Sequence, residues 1–199
     1  MSTSAISVPM ELVDALGRRD FARVEECLAS EVRFRALIPP HLCEANDAAS
    51  VAGHLRSWFG GADELEMVAS VVEPIASRVR MSYRLRLHDE DGWNTVEQQA
   101  YCDVVDGRIS RIDLLCSGIW PEVPSTEAKL DGLGQNCATL TPLIRATLRD
   151  LASGQVLEVV ADDPTAHGDV ASWSRLSGNE LVAAVAQQSG RMSFYIRKK

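Results

Sequence analysis

Residues 78–87 alternate between apolar side chains and polar ones, most of them arginine. The apolar set is Val79, Met81, Tyr83, Leu85 and Leu87, and the polar set is Arg78, Arg80, Ser82, Arg84 and Arg86. Because successive side chains of a β-strand point to opposite faces, this segment predicts a strand with one apolar face and one arginine-bearing face. Such a strand needs an antiparallel sheet that buries its apolar face.

A β-hairpin is predicted further along the chain. The expected strands are at about 64–73, 77–88, 93–105 and 108–117. Asp106-Gly107 separates the last two and is a strong signal for a two-residue turn. With the turn there, Ala100 pairs with Asp113, so Asp113 shares the apolar face with Cys102. A β-bulge, which is common in curved sheets, would invert this assignment.

In this register Asp113 becomes a candidate catalytic residue. We expect it to point into a pocket near Gln98, with Tyr83 across the sheet, and Tyr83, Gln98 and Cys102 are candidate binding residues. Desolvation raises the pKa of a carboxyl group among apolar neighbours, which suits a general base. The alternative is that Asp113 pairs with a nearby arginine, such as Arg111, and is only structural.

The opposite face of the hairpin is a candidate homodimer interface. It is expected to carry Cys116 with Ile112 and Leu114, beside the arginines. Cys102 and Cys116 lie on opposite faces in this register, so we expect no disulfide between them. The arginines are interpreted as solvated or as paired across strands, for example with Glu97, and the alternative is that they recognise an anionic partner.

Helical patterns precede the strands. Residues 9–29 carry two apolar stripes at helical spacing, broken at Gly17–Asp20, and Cys27 lies beside the second stripe as a core residue. Residues 32–36 alternate as a strand. Asn46 is expected to cap a third helix.

This order of helix, helix, strand, helix and long antiparallel strands resembles the SnoaL-like (nuclear-transport-factor-like) α+β barrel over about residues 9–120. The resemblance implies a curved sheet that wraps around helices to form a cone-shaped pocket, and a dimer formed through the outer sheet face. Pockets of this family bind a ligand, catalyse proton transfer or are filled with side chains. SnoaL-like cyclases also place an acid–base aspartate on a late strand, as Asp113 would be.

A domain boundary is predicted at residues 120–127. Two prolines among small and polar residues form a short linker there that cannot continue a strand. The predicted organisation is a flexible N-terminus at 1–8, a first domain at 9–120, a linker at 121–128 and a second domain at 129–199.

The second domain contains a single cysteine, Cys137, just before a helix-like run at residues 141–151. A thiol at a helix N-terminus faces unpaired N–H groups and the positive end of the helix dipole, which favour the reactive thiolate. The alternative is a small buried apolar residue. Thr141 as the N-cap and Pro142 in the first turn indicate that the helix begins at that point.

Several motifs surround Cys137. They are Leu130-Asp131, the glycine before the cysteine, Arg145, the turn Ala161-Asp162-Asp163-Pro164, Glu180-Leu181-Val182 and the end Ile196-Arg197-Lys198-Lys199. Together they resemble the TusA/SirA family of sulfur carriers over residues 129–199. The resemblance implies a two-layer βαββ-type α/β sandwich, a persulfide held on Cys137 and a binding role for Arg145. The chain departs from the family's Cys-Pro-x-Pro motif, because Ala138, Thr139 and Leu140 follow Cys137.

Composition excludes several classes of function. The net charge of −8 argues against nucleic-acid binding. No run approaches the roughly 18 apolar residues of a membrane span, and the N-terminus lacks the pattern of a secretory signal. Five irregularly spaced cysteines predict no disulfide framework, and four scattered histidines predict no metal site. We expect a cytoplasmic protein that uses no metal or cofactor.

Three functions remain. The first is a sulfur relay, in which Cys137 takes sulfur from a persulfide donor protein such as a cysteine desulfurase or a rhodanese. The N-terminal domain would then dimerise or bind a small-molecule acceptor. The second is a small-molecule binder, or an isomerase- or cyclase-type enzyme that uses Asp113. The third is a non-catalytic dimeric adaptor. The first is favoured because Ser174 stands where many relatives have a second cysteine, and direct attack on a terminal sulfur needs only one thiol.

Overall fold

The computed structural model describes residues 4–187 and 190–199, which form two compact units. Unit 1 comprises the chain up to Asp89 together with Asn94–Trp120. Unit 2 comprises Glu90–Trp93 and Pro121–Lys199. No helix among the described residues is long and apolar enough to span a bilayer.

Unit 1 combines helices with one mixed sheet. The helices are α1 (Ser4–Gly17), α2 (Phe21–Glu26) and α3 (Ala48–Phe59). The strands are β1 (Leu28–Ile38), β2 (His41–Ala45), β3 (Glu64–Ile75), β4 (Arg78–Asp89), β5 (Gly92–Val105) and β6 (Arg108–Pro121). They lie in the order β2-β1-β6-β5-β4-β3, with β1 parallel to β6. The α+β class is confirmed, and the expected order of helix, helix, strand, helix and long strands is observed with one additional strand, β2, before α3.

The alternating sequence of β4 buries one face of the strand, as predicted. Its apolar side chains, from Val79 to Leu87, are all buried in a core shared with α1, α2 and α3. Its arginines lie on the other face and form ion pairs, of which Arg84 with Glu97 is the one expected from the sequence. The Nε atom of Arg84 donates a hydrogen bond of 2.6 Å to Glu97.

Two local predictions in unit 1 need correction. Residues 4–8, predicted as flexible, belong to α1, because Val8 also packs against the core. The third helix is capped by Asp47 and not by Asn46. Asp47 has an extended backbone and accepts a hydrogen bond of 2.8 Å from the N–H of Ser50.

The register of β6 changes along the strand. Ile109 is buried, but so are Ile112 and Leu114, and the two residues between Ile109 and Ile112 lie outside the core. The pairing of β1 with β6 shifts over the same stretch. An irregularity of this kind turns every later side chain to the other face. Asp113 therefore leaves the inner face, and Leu114 enters it.

Unit 2 is a two-layer sandwich. Helices α4 (Cys137–Arg149) and α5 (Ala166–Ser177) cover strands β7 (Ala128–Asp131), β8 (Val156–Ala161), β9 (Glu180–Ala186) and β10 (Met192–Arg197). The strand order is β9-β10-β8-β7, and β7 runs parallel to β8. Apolar side chains of both layers form one core, including Ile144, Val170, Phe194 and Ile196. The two-layer fold expected for the second domain is confirmed.

Candidate functional site

Cys137 is the first residue of α4 and is partly exposed. The N-cap is Asn136, whose side chain accepts a hydrogen bond of 3.2 Å from the N–H of Thr139. The prediction that the helix begins at Thr141-Pro142 is therefore wrong. Cys137 is therefore part of the helix. A helix that began at Thr141 would instead have left the thiol on a loop before the N-terminus.

Packing explains why the helix begins four residues before Thr141. Leu140, Ile144 and Leu148 follow one another at intervals of four and are all buried. This stripe holds the first turn of α4 against the sheet, so Pro142 falls inside the helix. Pro142 lacks an N–H, but it is exposed and interrupts the hydrogen bonding only at that turn.

The loop before Cys137 is tied to strand β8 and to the turn that follows it. The N–H of Gly132 donates to the carbonyl of Val160 at 2.8 Å, and the N–H of Gly134 donates to Asp162 at 2.7 Å. A Cβ atom at Gly132 would lie 2.5 Å from Leu140 Cδ1 and 2.9 Å from the carbonyl oxygen of Val160, so any other residue there requires the Leu140 side chain or the loop to shift. The loop thereby brings Cys137 next to the Asp162-Asp163-Pro164 turn.

Acidic side chains face the thiol. Asp169, in the first turn of α5, forms a side-chain hydrogen bond with Cys137, and this bond raises the pKa of the thiol. Partial desolvation and the negative charges of Asp169 and Asp163 raise this pKa further. These carboxylates oppose the effect of the helix N-terminus, which the sequence analysis expected to favour the thiolate.

Thr165 links the two carboxylates. Its hydroxyl lies 2.9 Å from Asp163 Oδ1 and 3.0 Å from Asp169 Oδ2. The N–H of Thr165 also donates to Asp163 at 2.8 Å. Sequence reasoning missed Asp163 and Asp169 as neighbours of the thiol. The sequence features that point to these two residues are the Asp162-Asp163-Pro164 turn and the acidic residue in the first turn of α5, Asp169.

Arg145 lies two turns along α4 from Cys137. Its side chain is exposed and lines a groove with Thr141, Pro142, Arg149 and Trp173. The structure therefore places Arg145 on the surface that continues from the cysteine along the helix.

Unit 1 brings two of the predicted binding residues together. The buried hydroxyl of Tyr83 donates a 2.7 Å hydrogen bond to Gln98 Oε1. The amide of Gln98 donates in turn to the sulfur of Cys116 at 3.3 Å, and so does the N–H of Gly118 at 3.4 Å. Burial raises the pKa of Tyr83. Gln98 and Cys116 line a small cavity of about 210 Å³ whose walls include Trp58 and Phe59.

Cys102 lies elsewhere in the core. It is fully buried, its thiol donates to the carbonyl of Val79 at 3.4 Å, and burial raises its pKa to about 12. Burial likewise raises the pKa of Cys27 to about 11, in agreement with its predicted place in the core. Cys102 does not line the cavity, and the thiol that does is Cys116.

Asp113 is not on the apolar face, because of the register change in β6. It accepts hydrogen bonds from Arg78 at 2.7 Å and from Arg111 at 3.2 Å. Partial burial raises the pKa of Asp113, but the hydrogen bonds and charges of Arg111 and Arg78 outweigh it and lower the pKa. The structure thus corrects the expectation of a raised pKa, and the alternative pairing with Arg111 is present.

The predicted dimer surface also needs correction. Ile112 and Leu114 are 3% and 4% exposed, and Cys116 packs against the same core. Cys116 and Cys102 therefore belong to the apolar side of the sheet and not to opposite faces. All five cysteines are free.

The sequence of unit 2 is similar to known proteins. Residues 128–198 match the family described as sulfurtransferase TusA. The sulfur carrier protein TusA of Pseudomonas aeruginosa (strain LESB58) is 36% identical over 75 residues, which are 38% of this chain and 94% of that protein. The sulfur carrier protein TusA of Allochromatium vinosum is 38% identical over 74 residues, which are 36% of this chain and 93% of that protein.

Solved structures resemble the chain at low identity. A provisionally assigned ketosteroid isomerase from Kribbella flavida has a TM-score of 0.48 and 18% identity, and covers 62% of this chain and 85% of its own. An NTF2-like protein from Burkholderia xenovorans has a TM-score of 0.46 and 10% identity, and covers 59% of this chain and 92% of its own. Neither similarity assigns a ligand or a reaction to unit 1.

Proposed function

Because this chain belongs to the TusA family through residues 128–198, we propose that unit 2 carries sulfane sulfur as a persulfide on Cys137. The observation that supports this most is the position of Cys137. It is partly exposed at the N-terminus of α4, and it is the cysteine that the sequence of unit 2 provides. The start of α4 at Cys137 keeps this geometry although the family's prolines are replaced.

Loading would be a thiol–persulfide exchange. The sulfur of Cys137 attacks the terminal sulfur of a donor persulfide, a new S–S bond forms, and the S–S bond of the donor breaks. The donor leaves as a thiolate. Asp169 accepts the hydrogen bond of the Cys137 thiol, so it is positioned to take the proton, which then passes to the departing thiolate or to water.

Delivery would reverse these roles. An acceptor thiolate attacks the terminal sulfur held on Cys137, and Cys137 leaves as a thiolate that regains its proton. No electrons are gained or lost overall, so no redox cofactor is required. The donor would be a persulfide-forming protein such as a cysteine desulfurase or a rhodanese. A free thiol carrier of this kind suits the reducing cytoplasm.

Mass spectrometry tests the proposal. The full chain is incubated with inorganic polysulfide and digested without reductant, and the peptide that contains Cys137 is expected to gain the mass of one sulfur atom. Cys137→Ser is the matched control and should remove this gain. Loading of Cys116 or Cys43 in preference to Cys137 would contradict the proposal.

A second function is proposed for unit 1, on the evidence of the cavity beside Gln98. Its described lining is apolar except for Gln98 and Cys116, so it fits a small aromatic or aliphatic molecule with one polar group. Tyr83 fixes the Gln98 carbonyl, which turns the amide N–H groups towards Cys116 and the cavity. Since Asp113 lies on the other face, we propose binding here and not acid–base catalysis.

Two matched probes test this binding. In saturation-transfer NMR, phenol should bind the wild type more strongly than toluene, because only phenol offers a hydroxyl to Gln98. Gln98→Leu should abolish the preference for phenol. Equal binding of the two probes to the wild type, or no binding of either, would contradict a ligand site.

We also propose a homodimer, formed by a different surface from the one predicted around Cys116. Leu42, Leu37 and Leu115 lie side by side on β2, β1 and β6, and each is 41–51% exposed. Leucines in direct register on neighbouring strands form a continuous apolar row. We propose that this row packs against the same row of a second copy.

A further inference from the structure

Arg33 of β1 and Arg111 of β6 lie side by side on the face of the unit 1 sheet that is opposite the core. They are partners in the parallel register of these strands, and Arg35 pairs with Asp113 two residues further along. Neighbouring strands are about 4.8 Å apart, so two cations in register repel each other. The register shift between β1 and β6 lies just before Arg33, and the pairing that follows it brings these like charges together.

This pair of arginines borders a recess of about 160 Å³ in the outer face of the sheet. Three neighbouring strands and the residue after β2 supply its charged and polar lining, which consists of Arg33, Arg35, Glu44, Asn46, Arg111 and Asp113. A recess of this size holds several water molecules, or one small anion in their place.

Two of the three arginines at the recess lack an acidic partner. Arg111 is paired, because its Nε atom lies 2.9 Å from Asp113 Oδ2. Within the described part of the chain, no carboxylate forms an ion pair with Arg33 or Arg35. Glu44 is the register partner of Arg35 on β2, but the structure shows no ion pair between these two side chains. The recess therefore combines two unpaired guanidinium groups with one unpaired carboxylate.

The arginines of strand β4 lie on the same face and provide a contrast. Each is paired with an aspartate or a glutamate, and they are Arg78, Arg80, Arg84 and Arg86. Carboxylates are abundant in a chain of net charge −8, so an arginine of this face normally has a partner. Arg33 and Arg35 are exceptions, and their positive field is open to a ligand of opposite charge.

A tetrahedral oxyanion matches the arrangement of these donors. Each guanidinium carries five N–H groups in a planar fork that suits phosphate-like oxygens. Asp113 occupies Nε and Nη2 of Arg111, which leaves Nη1 for a ligand. Arg33 and Arg111 approach from neighbouring strands and Arg35 from further along β1, so the donors come from several directions. A tetrahedral anion offers an oxygen to each of them, whereas a carboxylate offers two oxygens in one plane and a single charge.

We propose that unit 1 binds a small divalent oxyanion of the phosphate or sulfate type in this recess, between Arg33, Arg35 and Arg111. The negative charge of the ligand would offset the repulsion between the arginines, and the amide of Asn46 would add an N–H donor. The site lies on the opposite face of the sheet from the cavity beside Gln98, and it is independent of the proposed carrier function. A free anion and the phosphate group of a small organic molecule share this chemistry.

NMR titrations of the full chain test the site. Sulfate, phosphate, glycerol phosphate and acetate are added at pH 7.5, with sodium chloride keeping the ionic strength constant. The divalent anions should shift the signals of Arg33, Arg35 and Arg111 with a dissociation constant on the order of 1 mM. Acetate should bind at least about fivefold more weakly. Equal affinities for phosphate and glycerol phosphate would support a site for the free anion, and tighter binding of glycerol phosphate would support a site for an organic phosphate.

Charge variants at the recess should have opposite effects. Arg33→Gln/Arg35→Gln removes both unpaired guanidinium groups and should weaken phosphate binding by about tenfold. Glu44→Gln removes the unpaired carboxylate and should strengthen phosphate binding by about threefold. Arg84→Gln/Arg86→Gln is the matched control for the double variant, since it removes two paired arginines from the same face. Its dissociation constant should stay within about twofold of the wild-type value.

The control for Glu44→Gln is Glu25→Gln, at an exposed position of α2, which should leave phosphate binding within about 1.5-fold of the wild type. Three results would overturn the inference. The first is an absence of shifts at the recess when sulfate or phosphate replaces chloride. The second is unchanged phosphate binding in Arg33→Gln/Arg35→Gln or in Glu44→Gln. The third is binding of acetate as tight as that of phosphate, which would show that the recess does not select a divalent oxyanion.

Discussion

Asp169 accepts a hydrogen bond from the thiol of Cys137 and raises the pKa of that thiol. Removing the charge with Asp169→Asn should lower the pKa of Cys137, so a larger fraction of it is thiolate at neutral pH. A thiolate of lower pKa is also less nucleophilic, which offsets part of this gain. We expect alkylation of Cys137 by iodoacetamide at pH 7 to become about threefold faster.

The control is Asp150→Asn, which removes an exposed carboxylate at the other end of α4. Its alkylation profile should follow that of the wild type. Rates measured from pH 6 to 10 give the titration of Cys137 directly. A profile in Asp169→Asn that stays in place or moves to higher pH would contradict the role given to Asp169.

Gly132 should be sensitive to any added side chain. Gly132→Ala introduces a Cβ 2.5 Å from Leu140 Cδ1 and 2.9 Å from the carbonyl oxygen of Val160, so the loop or helix α4 must move. We expect the free energy of unfolding to fall by about 2 kcal/mol. Urea denaturation measures the change.

A second glycine supplies the comparison for Gly132. Gly168 lies inside α5, and a Cβ there would meet no atom within 4 Å. Gly168→Ala should therefore raise the free energy of unfolding by about 0.5–1 kcal/mol, because alanine favours the helix. Effects of the same sign in the two variants would be inconsistent with the close approach at Gly132.

Ser174 is expected to be a site of stabilisation. It is 2% exposed in α5, and its hydroxyl is buried without a hydrogen-bond partner. Ser174→Ala removes the unsatisfied group and improves helix propensity, so we expect the free energy of unfolding to rise by about 1 kcal/mol. Ser172→Ala, at an exposed position of the same helix, gains the same propensity but loses a 3.1 Å hydrogen bond from Arg175, so the free energy of unfolding should change by about 0.3 kcal/mol or less. Thermal denaturation of both variants would show whether burial accounts for the difference.

Asp113 is expected to stabilise unit 1 above acidic pH. The folded state lowers its pKa below the ordinary 3.8, so the protonated group binds Arg78 and Arg111 less well than the carboxylate does. Asp113→Asn should cost about 2 kcal/mol at pH 7. This difference should shrink as the pH falls through the lowered pKa, because the wild type then loses the same charge.

Denaturation curves of Asp113→Asn are compared with those of Asp14→Asn, which breaks an exposed pair with Arg18. That control should change the free energy of unfolding by about 0.5 kcal/mol or less. A penalty for Asp113→Asn that stays constant down to pH 2 would show that its ion pairs are not the source of the stability.

Leu115 provides the test of the proposed dimer. Leu115→Glu places a charge at the β6 end of the exposed leucine row, beside Leu37, on the surface where two copies would meet. Sedimentation at micromolar concentration should show a dimer for the wild type and a monomer for this variant. Val105→Glu, at another exposed apolar position of unit 1, should remain dimeric. A monomeric wild type would contradict the proposal.

Part of the fold could be predicted from the sequence because it depends on periodicity. The alternation at 78–87 fixed the buried side of β4, and Asp106-Gly107 forms the predicted turn, with a positive φ of 50° at Asp106. The register of β6 was missed, although its apolar residues contain a signal. Ile109 has the opposite parity to Ile112 and Leu114, and no regular strand can bury all three.

The start of α4 was missed for a different reason. Thr141-Pro142 is a good local signal for a helix start. The burial of Leu140 favours an earlier start, because Leu140 forms one apolar stripe with Ile144 and Leu148 only if it is helical. The electrostatics of Cys137 depend on Asp163 and Asp169, which lie more than 25 residues away along the chain. Folding brings them to the thiol, so the direction of the pKa shift could be predicted only by placing the Asp-Asp-Pro turn and the first turn of α5 next to Cys137.

The hydrogen bond from Cys137 to Asp169 has a consequence for how long sulfur stays on the carrier. A thiol of raised pKa is a poorer leaving group, so an S–S bond to Cys137 is broken more slowly by a passing thiol. Cys137 is the single cysteine in the sequence of unit 2, so no second thiol of this unit can attack the S–S bond. The position after Trp173, where many relatives have a cysteine, is Ser174. Slow release and the lack of an internal competitor both lengthen the lifetime of the loaded state. A long-lived persulfide on Cys137 would limit the loss of sulfur as free sulfide before the carrier reaches its acceptor.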